Sequence, residues 1–154
     1  MRHPQLAKLA DDPWLKPYLK HIQHRADHIR SMEQRLTGGN LTLDEFANAH
    51  EYYGLHFRDR NWVFREWAPN ATAIYLVGDF SDWEQRDEFA LHYGDGHGVW
   101  EIELPAGSLR HGDLYHLKLY WPGGEGDRLP AYTRRAVQDP ETQIFAAQVW
   151  HPET

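Results

Sequence analysis

Cysteine is absent from the 154-residue sequence, which excludes a disulfide framework and any zinc site built on thiolates. No apolar run approaches the roughly 20 residues that a membrane-spanning helix needs. Residues 1–10 also lack the apolar stretch of a signal peptide. We therefore expect a cytoplasmic protein that has no membrane partner.

Basic charge is scarce as well. The sequence has 16 Lys and Arg against 23 Asp and Glu, a net charge of −7, and its basic residues are not clustered. Nucleic-acid-binding proteins usually present a basic face, so we expect no nucleic-acid partner. His21, His24 and His28 share one face of a predicted helix, but no carboxylate completes a metal site beside them. We predict no metal, no cofactor and no catalytic residue.

Tryptophan, by contrast, is abundant, with seven residues in a sequence that is 14% aromatic. A tryptophan side chain has a large apolar surface and one polar N–H group. One interpretation is a tryptophan-rich core, and another is a set of flat platforms on which sugar rings stack. Both can hold for different tryptophans.

The first part of the chain has helical periodicity. Asp12 followed by Pro13 is typical of a helix N-cap and first helical position, and Gly38 marks the end of this helix. Thr42 and Glu45 have the spacing of a capping box, which predicts a second, short helix. Apolar residues of the first helix recur at steps of three and four: Leu15, Leu19, Ile22, Ala26, Ile29, Met32 and Leu36.

This apolar stripe needs a partner surface, because two helices alone cannot bury it. We expect the helical segment, residues 1–50, to lie on the following domain or on a surface outside this chain. If the stripe is exposed, self-association through it is expected. A single monomeric species at high concentration in sedimentation would contradict that expectation.

Residues 51–154 show the alternation of β-strands and form the second predicted domain. The predicted strands are residues 55–57, 62–67, 73–77, 88–92, 99–104, 115–121 and 143–149. Residues 130–140 are predicted to be irregular. Short strands with turn signals between them favour an antiparallel β-sandwich, so the protein is predicted to be mainly β.

The alternation also assigns side chains to faces. It places Trp100 in the core and Lys118 exposed on the outer face of a sheet. Trp83 follows a strand that ends at Gly78 and lies in a polar loop. Its ring could stack on a pyranose while Asp82 bonds to sugar hydroxyls. The alternative is that Trp83 folds back and caps one end of the sandwich.

Two segments carry a family resemblance. Residues 67–71 (W-A-P-N-A) and 78–83 (G-D-F-S-D-W) resemble the W-A-P-x-A and G-D-F-N-x-W signature of carbohydrate-binding module family 48. This resemblance implies an immunoglobulin-like β-sandwich of the early-set type, preceded by an N-terminal α-helical segment.

Further motifs narrow the resemblance to 1,4-α-glucan (glycogen) branching enzymes. Residues 12–18 resemble their D-P-x-L-x-P-Y opening. Phe46 and residues 52–56 resemble the segment that leads into their sandwich, and residues 150–153 resemble their passage toward a catalytic (β/α)8 barrel. Such enzymes cut an α-1,4 linkage and rejoin the chain in α-1,6 linkage, with their catalytic carboxylates on that barrel. The resemblance therefore implies a non-catalytic N-terminal module that handles glycogen or maltooligosaccharide, whose partner is the missing barrel.

The resemblance also suggests the sugar site. Trp83 matches the tryptophan that stacks on glucose in glycogen-binding members, and Lys118 matches a lysine that supports the same sugar. Asp82 beside Trp83 completes the predicted carbohydrate-binding set. Residues 122–128 lack the second tryptophan of those members, and Ser81 replaces their asparagine.

Three other functions stay open. The domain could brace the barrel without binding sugar, which the missing second tryptophan favours. It could be a free-standing glycogen-binding regulatory subunit, which the branching-enzyme motifs disfavour. A small self-contained enzyme has no supporting constellation. Glucan binding by the chain distinguishes the bracing function from the leading hypothesis.

Overall fold

The computed structural model describes residues 11–94 and 96–152. The chain divides into two compact units between Asn48 and Ala49. Across the described residues, no helix combines the length and the apolar character needed to cross a membrane.

The first unit is helical, with a 3-10 turn at Lys16–Tyr18 followed by helices α1 (Leu19–Thr37) and α2 (Leu43–Phe46). Asp12 caps the opening turn, where its Oδ1 accepts a hydrogen bond of 2.8 Å from the Trp14 amide. The α-helix begins only at Leu19, later than predicted, because a helix starting at Pro13 would need an N–H at position 17 to bond to the carbonyl of residue 13, and Pro17 has none. Gly38 ends α1 in a left-handed conformation with φ of 65°, as predicted.

The predicted capping box at Thr42 and Glu45 is confirmed. Within α1 the only buried residue is Thr37. Ile29 and Leu36 of the apolar stripe are 63% and 48% exposed. Docking or self-association through this stripe stays a prediction.

The second unit begins with helix α3 (Ala49–Tyr52) and continues as two antiparallel sheets. Sheet A has the order β1-β2-β5-β4, and its strands are β1 (Gly54–Arg58), β2 (Asn61–Trp67), β4 (His92–Tyr93) and β5 (Val99–Pro105). Sheet B has the order β3-β6-β9-β8, and its strands are β3 (Ala73–Gly78), β6 (Leu114–Trp121), β8 (Ala136–Gln138) and β9 (Phe145–Gln148). Strand β7 (Gly124–Arg128) also pairs with β6.

The core lies between the two sheets, where alternate side chains of β2, β3, β5 and β6 meet. Its largest fully buried apolar side chains are Phe64, Ile74, Leu76, Leu117 and Val149. Trp100 is buried as predicted, and its Nε1 donates a 3.0 Å bond to the Ala68 carbonyl. Trp62 is also buried and donates to the Ala106 carbonyl at 3.1 Å. These two tryptophans therefore belong to the core.

The predicted strand at residues 88–92 is wrong. Asp87–Phe89 forms a 3-10 turn that buries Phe89, and only His92–Tyr93 pairs as a strand. Strand β7 lies in a segment for which no strand was predicted, and β8 lies in the segment that was predicted to be irregular. Both are short or rich in glycine, so they lack the alternating apolar pattern of a half-buried strand.

Candidate functional site

The loop after β3 is closed by hydrogen bonds between residues three to five positions apart. The Ser81 hydroxyl is fully buried; it accepts from the Gly78 amide and donates to the Gly78 carbonyl, both at 3.1 Å. The Trp83 amide also donates to the Gly78 carbonyl, at 2.9 Å. Asp82 and Trp83 have φ of 54° and 61°, in the left-handed region, so the chain turns sharply here. The loop therefore carries the Trp83 side chain away from the core.

The Trp83 ring is held at its edge and remains 43% exposed. Its Nε1 donates a 2.9 Å bond to Asp79 Oδ1, while Asp79 Oδ2 accepts from the Leu114 amide at 2.7 Å. Asp79 thus ties the indole to the beginning of β6. The ring also packs against His116, with 5.3 Å between ring centroids. The alternative of Trp83 folding back as an end cap would bury this ring, whereas the ring is exposed.

Beside the Trp83 ring lies a depression on the outer face of sheet B. Its lining residues are Val77, Trp83, Gln85, His116, Lys118 and Asp127. Strand β6 contributes His116 and Lys118 from alternate positions, and β7 contributes Asp127. Two of the three predicted site residues, Trp83 and Lys118, therefore lie together.

Lys118 has the predicted outward orientation, but its ammonium is paired. Its Nζ lies 3.2 Å from Glu125 Oε1 and 3.8 Å from Asp127 Oδ1. The hydrogen bond with Glu125 raises the pKa of Lys118 above its usual value, so this side chain is charged at neutral pH. Burial lowers the pKa of His116, although Asp127 at 3.6 Å opposes that shift. The depression thus contains one paired cation and a neutral imidazole at neutral pH.

Asp82 is placed differently from Trp83 and Lys118. Its side chain is 81% exposed and pairs with Arg86, and it is not among the residues that line the depression. Its role in sugar binding stays a prediction. His116 and Gln85, which do line the depression, were missed. The alternation along β6 places His116 on the same outward face as Lys118 and could have indicated it, whereas no pattern in the sequence marked Gln85.

Among the described residues, no group of three His, Cys, Asp or Glu side chains lies close enough to hold a metal ion. What the site offers is a flat apolar ring next to amide, imidazole, ammonium and carboxylate groups. A surface of this kind can bind a neutral ligand that has apolar faces and many hydroxyls.

The chain is similar to known proteins over most of its length. Residues 52–140 match the family model described as carbohydrate-binding module 48 (isoamylase N-terminal domain). The chain is 32% identical over 148 residues to a 1,4-alpha-glucan-branching enzyme of Dictyostelium discoideum, covering 92% of this chain and 22% of that protein. It is 33% identical over 156 residues to a 1,4-alpha-glucan-branching enzyme of Rhizophagus irregularis, covering 97% of this chain and 22% of that protein. The chain thus spans about a fifth of the length of these relatives.

Solved structures share the fold. One is a type I pullulanase from Bacillus subtilis, complexed with maltose. The match covers 66% of this chain and 13% of the pullulanase chain, with a TM-score of 0.51 and 20% identity. Another is the catalytic module of the glycogen-degrading pneumococcal virulence factor SpuA, in complex with an inhibitor. This match covers 64% of this chain and 16% of the SpuA chain, with a TM-score of 0.52 and 17% identity. The predicted immunoglobulin-like β-sandwich is confirmed, and the chain belongs to the carbohydrate-binding module 48 family.

Proposed function

We propose that this chain is the α-glucan-binding and positioning module of a 1,4-α-glucan branching enzyme. In this proposal residues 51–154 are the binding domain, and they hold donor or acceptor glucan near a catalytic barrel of the same polypeptide. The similarity to branching enzymes over more than nine-tenths of the chain supports the choice of parent enzyme.

The observation that carries the proposal is the exposed Trp83 ring beside polar side chains on a sheet face. Each glucose ring of an α-1,4-glucan has an apolar C–H face that can pack on an indole. Its hydroxyls need hydrogen-bonding partners, which Gln85 and Lys118 can provide. An uncharged polymer also suits a chain with a net charge of −7.

Trp83→Ala is expected to weaken maltoheptaose binding about 30-fold. Losing the indole removes roughly 80 Å² of apolar contact, or about 2 kcal/mol at roughly 25 cal/mol per Å². Titration calorimetry and tryptophan fluorescence measure this loss. Binding to a single sugar site is weak: a dissociation constant of roughly 0.1 mM corresponds to only about −5.5 kcal/mol. Both protein and sugar must therefore be concentrated.

Trp14→Ala is the matched control, because Trp14 is 85% exposed and lies in the helical unit. It should bind maltoheptaose as tightly as the unmodified chain. If the two variants lose binding equally, or if Trp83→Ala loses none, Trp83 is not the sugar platform.

A bracing function without sugar binding is the second candidate. It is favoured by the pairing of Lys118 with Glu125 and Asp127, since a sugar hydroxyl must compete with two carboxylates for that ammonium. The same titration separates the two candidates. No binding of maltoheptaose at millimolar concentration would leave bracing as the function.

A further inference from the structure

Gln85 lines the depression, and a neighbouring tyrosine holds its side-chain amide. It lies two residues after Trp83, and its side chain contributes to the same lining. Its Oε1 accepts a hydrogen bond of 2.6 Å from the Tyr120 hydroxyl. A primary amide has one oxygen and one NH2 group, so a bond at the oxygen leaves two N–H donors. Tyr120 therefore fixes the amide while its NH2 group stays available.

The availability of this donor contrasts with that of Lys118. The Lys118 ammonium lies near two carboxylates, and charge-assisted hydrogen bonds of that kind are roughly twice as strong as neutral ones. Among the described residues, the Gln85 amide nitrogen has no hydrogen-bond partner. Of these two polar side chains, Gln85 can thus donate to a ligand without first breaking an ion pair.

We propose that Gln85 donates the hydrogen bond that orients the glucose ring stacked on Trp83, and that Tyr120 is the positioning residue for its amide. The inference rests on the proposed function and assigns the main polar contact to Gln85, whereas the family resemblance assigns it to Lys118. The ligand class is a neutral α-1,4-linked glucan whose ring hydroxyl accepts from the amide. The Trp83 ring supplies apolar contact, and the Gln85 amide sets the rotation of the sugar on that ring.

The test compares maltoheptaose binding by Gln85→Met, Tyr120→Phe and the double variant. Methionine keeps the length of glutamine and removes both polar groups. Gln85→Met is expected to weaken binding about fivefold, as for the loss of one neutral hydrogen bond. Tyr120→Phe should weaken binding about twofold, and the double variant should bind no more weakly than Gln85→Met. Such non-additivity follows if Tyr120 acts only through Gln85.

A second readout follows the amide itself. In the unmodified chain, the side-chain NH2 resonances of Gln85 should shift when maltoheptaose is added, and Tyr120→Phe should reduce that shift. Lys118→Met is the control for polar recognition, and it should weaken binding less than Gln85→Met. Gln85 is exposed, so its substitution should leave the thermal midpoint unchanged.

The outcomes separate two failures. If Trp83→Ala abolishes binding while Gln85→Met binds normally and the Gln85 amide does not shift, the role of Gln85 is wrong and the proposed function stands. The same conclusion follows if Lys118→Met causes the larger loss. If the unmodified chain does not bind maltoheptaose at all, the proposed function fails and this inference fails with it.

Discussion

Gly78→Ala is expected to lower the free energy of unfolding by about 3 kcal/mol, at the upper end of the cost of overpacking. A Cβ atom at this position would lie 2.2 Å from the Leu114 carbonyl oxygen and 2.8 Å from Tyr115 Cβ. Gly78 has an extended backbone, so the penalty is steric rather than conformational. The contact is with backbone, which cannot rotate away, and β3 and β6 must therefore separate where Gly78 pairs with Tyr115.

The same substitution should reach the candidate site. Gly78 holds the Ser81 hydroxyl and accepts from the Trp83 amide, so displacing it shifts the loop that carries the indole. We expect weaker maltoheptaose binding together with the lower stability, measured by urea denaturation and titration of the same preparation.

Gly107→Ala is the control for Gly78→Ala, because nothing lies within 4 Å of a Cβ atom at Gly107. Its free energy of unfolding should change by less than about 0.5 kcal/mol. If Gly78→Ala is as stable as this control, close packing of β3 on β6 is not what requires glycine at position 78.

The strongest strands could be predicted from alternation alone. Strands β2, β5 and β6 have clean apolar alternation, and each was located to within one residue at either end. The turn between β1 and β2 falls in the gap between the predicted strands at residues 55–57 and 62–67. It is formed by Asp59 and Arg60, whose φ angles of 50° and 64° suit a two-residue hairpin.

What could not be predicted depends on tertiary contacts. Strand β7 contains Gly124 and Gly126, and Cβ atoms there would lie 2.9 and 3.1 Å from the Trp121 ring. Those glycines leave room for the Trp121 indole. Trp121 continues the alternation of the buried residues Leu117 and Leu119, but it is the last residue of β6 and is 43% exposed. No local pattern reports such a cross-strand contact.

The candidate site also combines features that the sequence predicts with features that depend on tertiary contacts. The outward orientation of Lys118 was predicted from the alternation along β6. The exposure of Trp83 was predicted from the polar residues of its loop. The pairing of Lys118 with Glu125 requires the register of β6 against β7, and β7 was itself unpredicted. The contact between Gln85 and Tyr120 joins residues 35 positions apart, which no short-range pattern reveals.

Arg128→Met is expected to lower the free energy of unfolding by about 3 kcal/mol at neutral pH. Glu66 shares the inward parity of Trp62 and Phe64, and it is only 1% exposed. Arg128 Nη2 donates to Glu66 Oε1 at 2.9 Å, and the Ala131 amide donates to Oε2 at 3.1 Å. Removing one partner of a buried ion pair leaves an uncompensated charge and costs about 3–5 kcal/mol. The low end applies here because the Arg128 side chain is 44% exposed.

Arg86→Met is the control for Arg128→Met. Arg86 pairs with Asp82, whose side chain is 81% exposed, so solvent screens that pair and its loss should cost less than about 1 kcal/mol. Equal losses in the two variants would mean that the burial of Glu66 is not what makes Arg128 important.

The dependence on pH gives a sharper test, because it reports the charge on Glu66 itself. Burial raises the pKa of Glu66 above its usual value, and the Arg128 guanidinium opposes that shift. Folding therefore favours the protonated form, and the stability that protonation contributes is lost as pH rises through the folded pKa. Without Arg128 this pKa rises further. The loss of stability in Arg128→Met should consequently be larger at about pH 8 than at about pH 5.5, because a lower pH favours the protonated, uncharged form of Glu66.

Replacing Glu66 itself should abolish that pH effect. In Glu66→Gln/Arg128→Met no buried carboxylate remains, so its stability gap from the single variant Glu66→Gln should be the same at both pH values. Urea denaturation of the four proteins at each pH measures the gaps. Methionine keeps most of the aliphatic stem of arginine, so the substitution tests the guanidinium rather than the packing of the stem. If the loss of stability in Arg128→Met does not change with pH, neutralisation of a buried charge on Glu66 is not how Arg128 stabilises the sandwich.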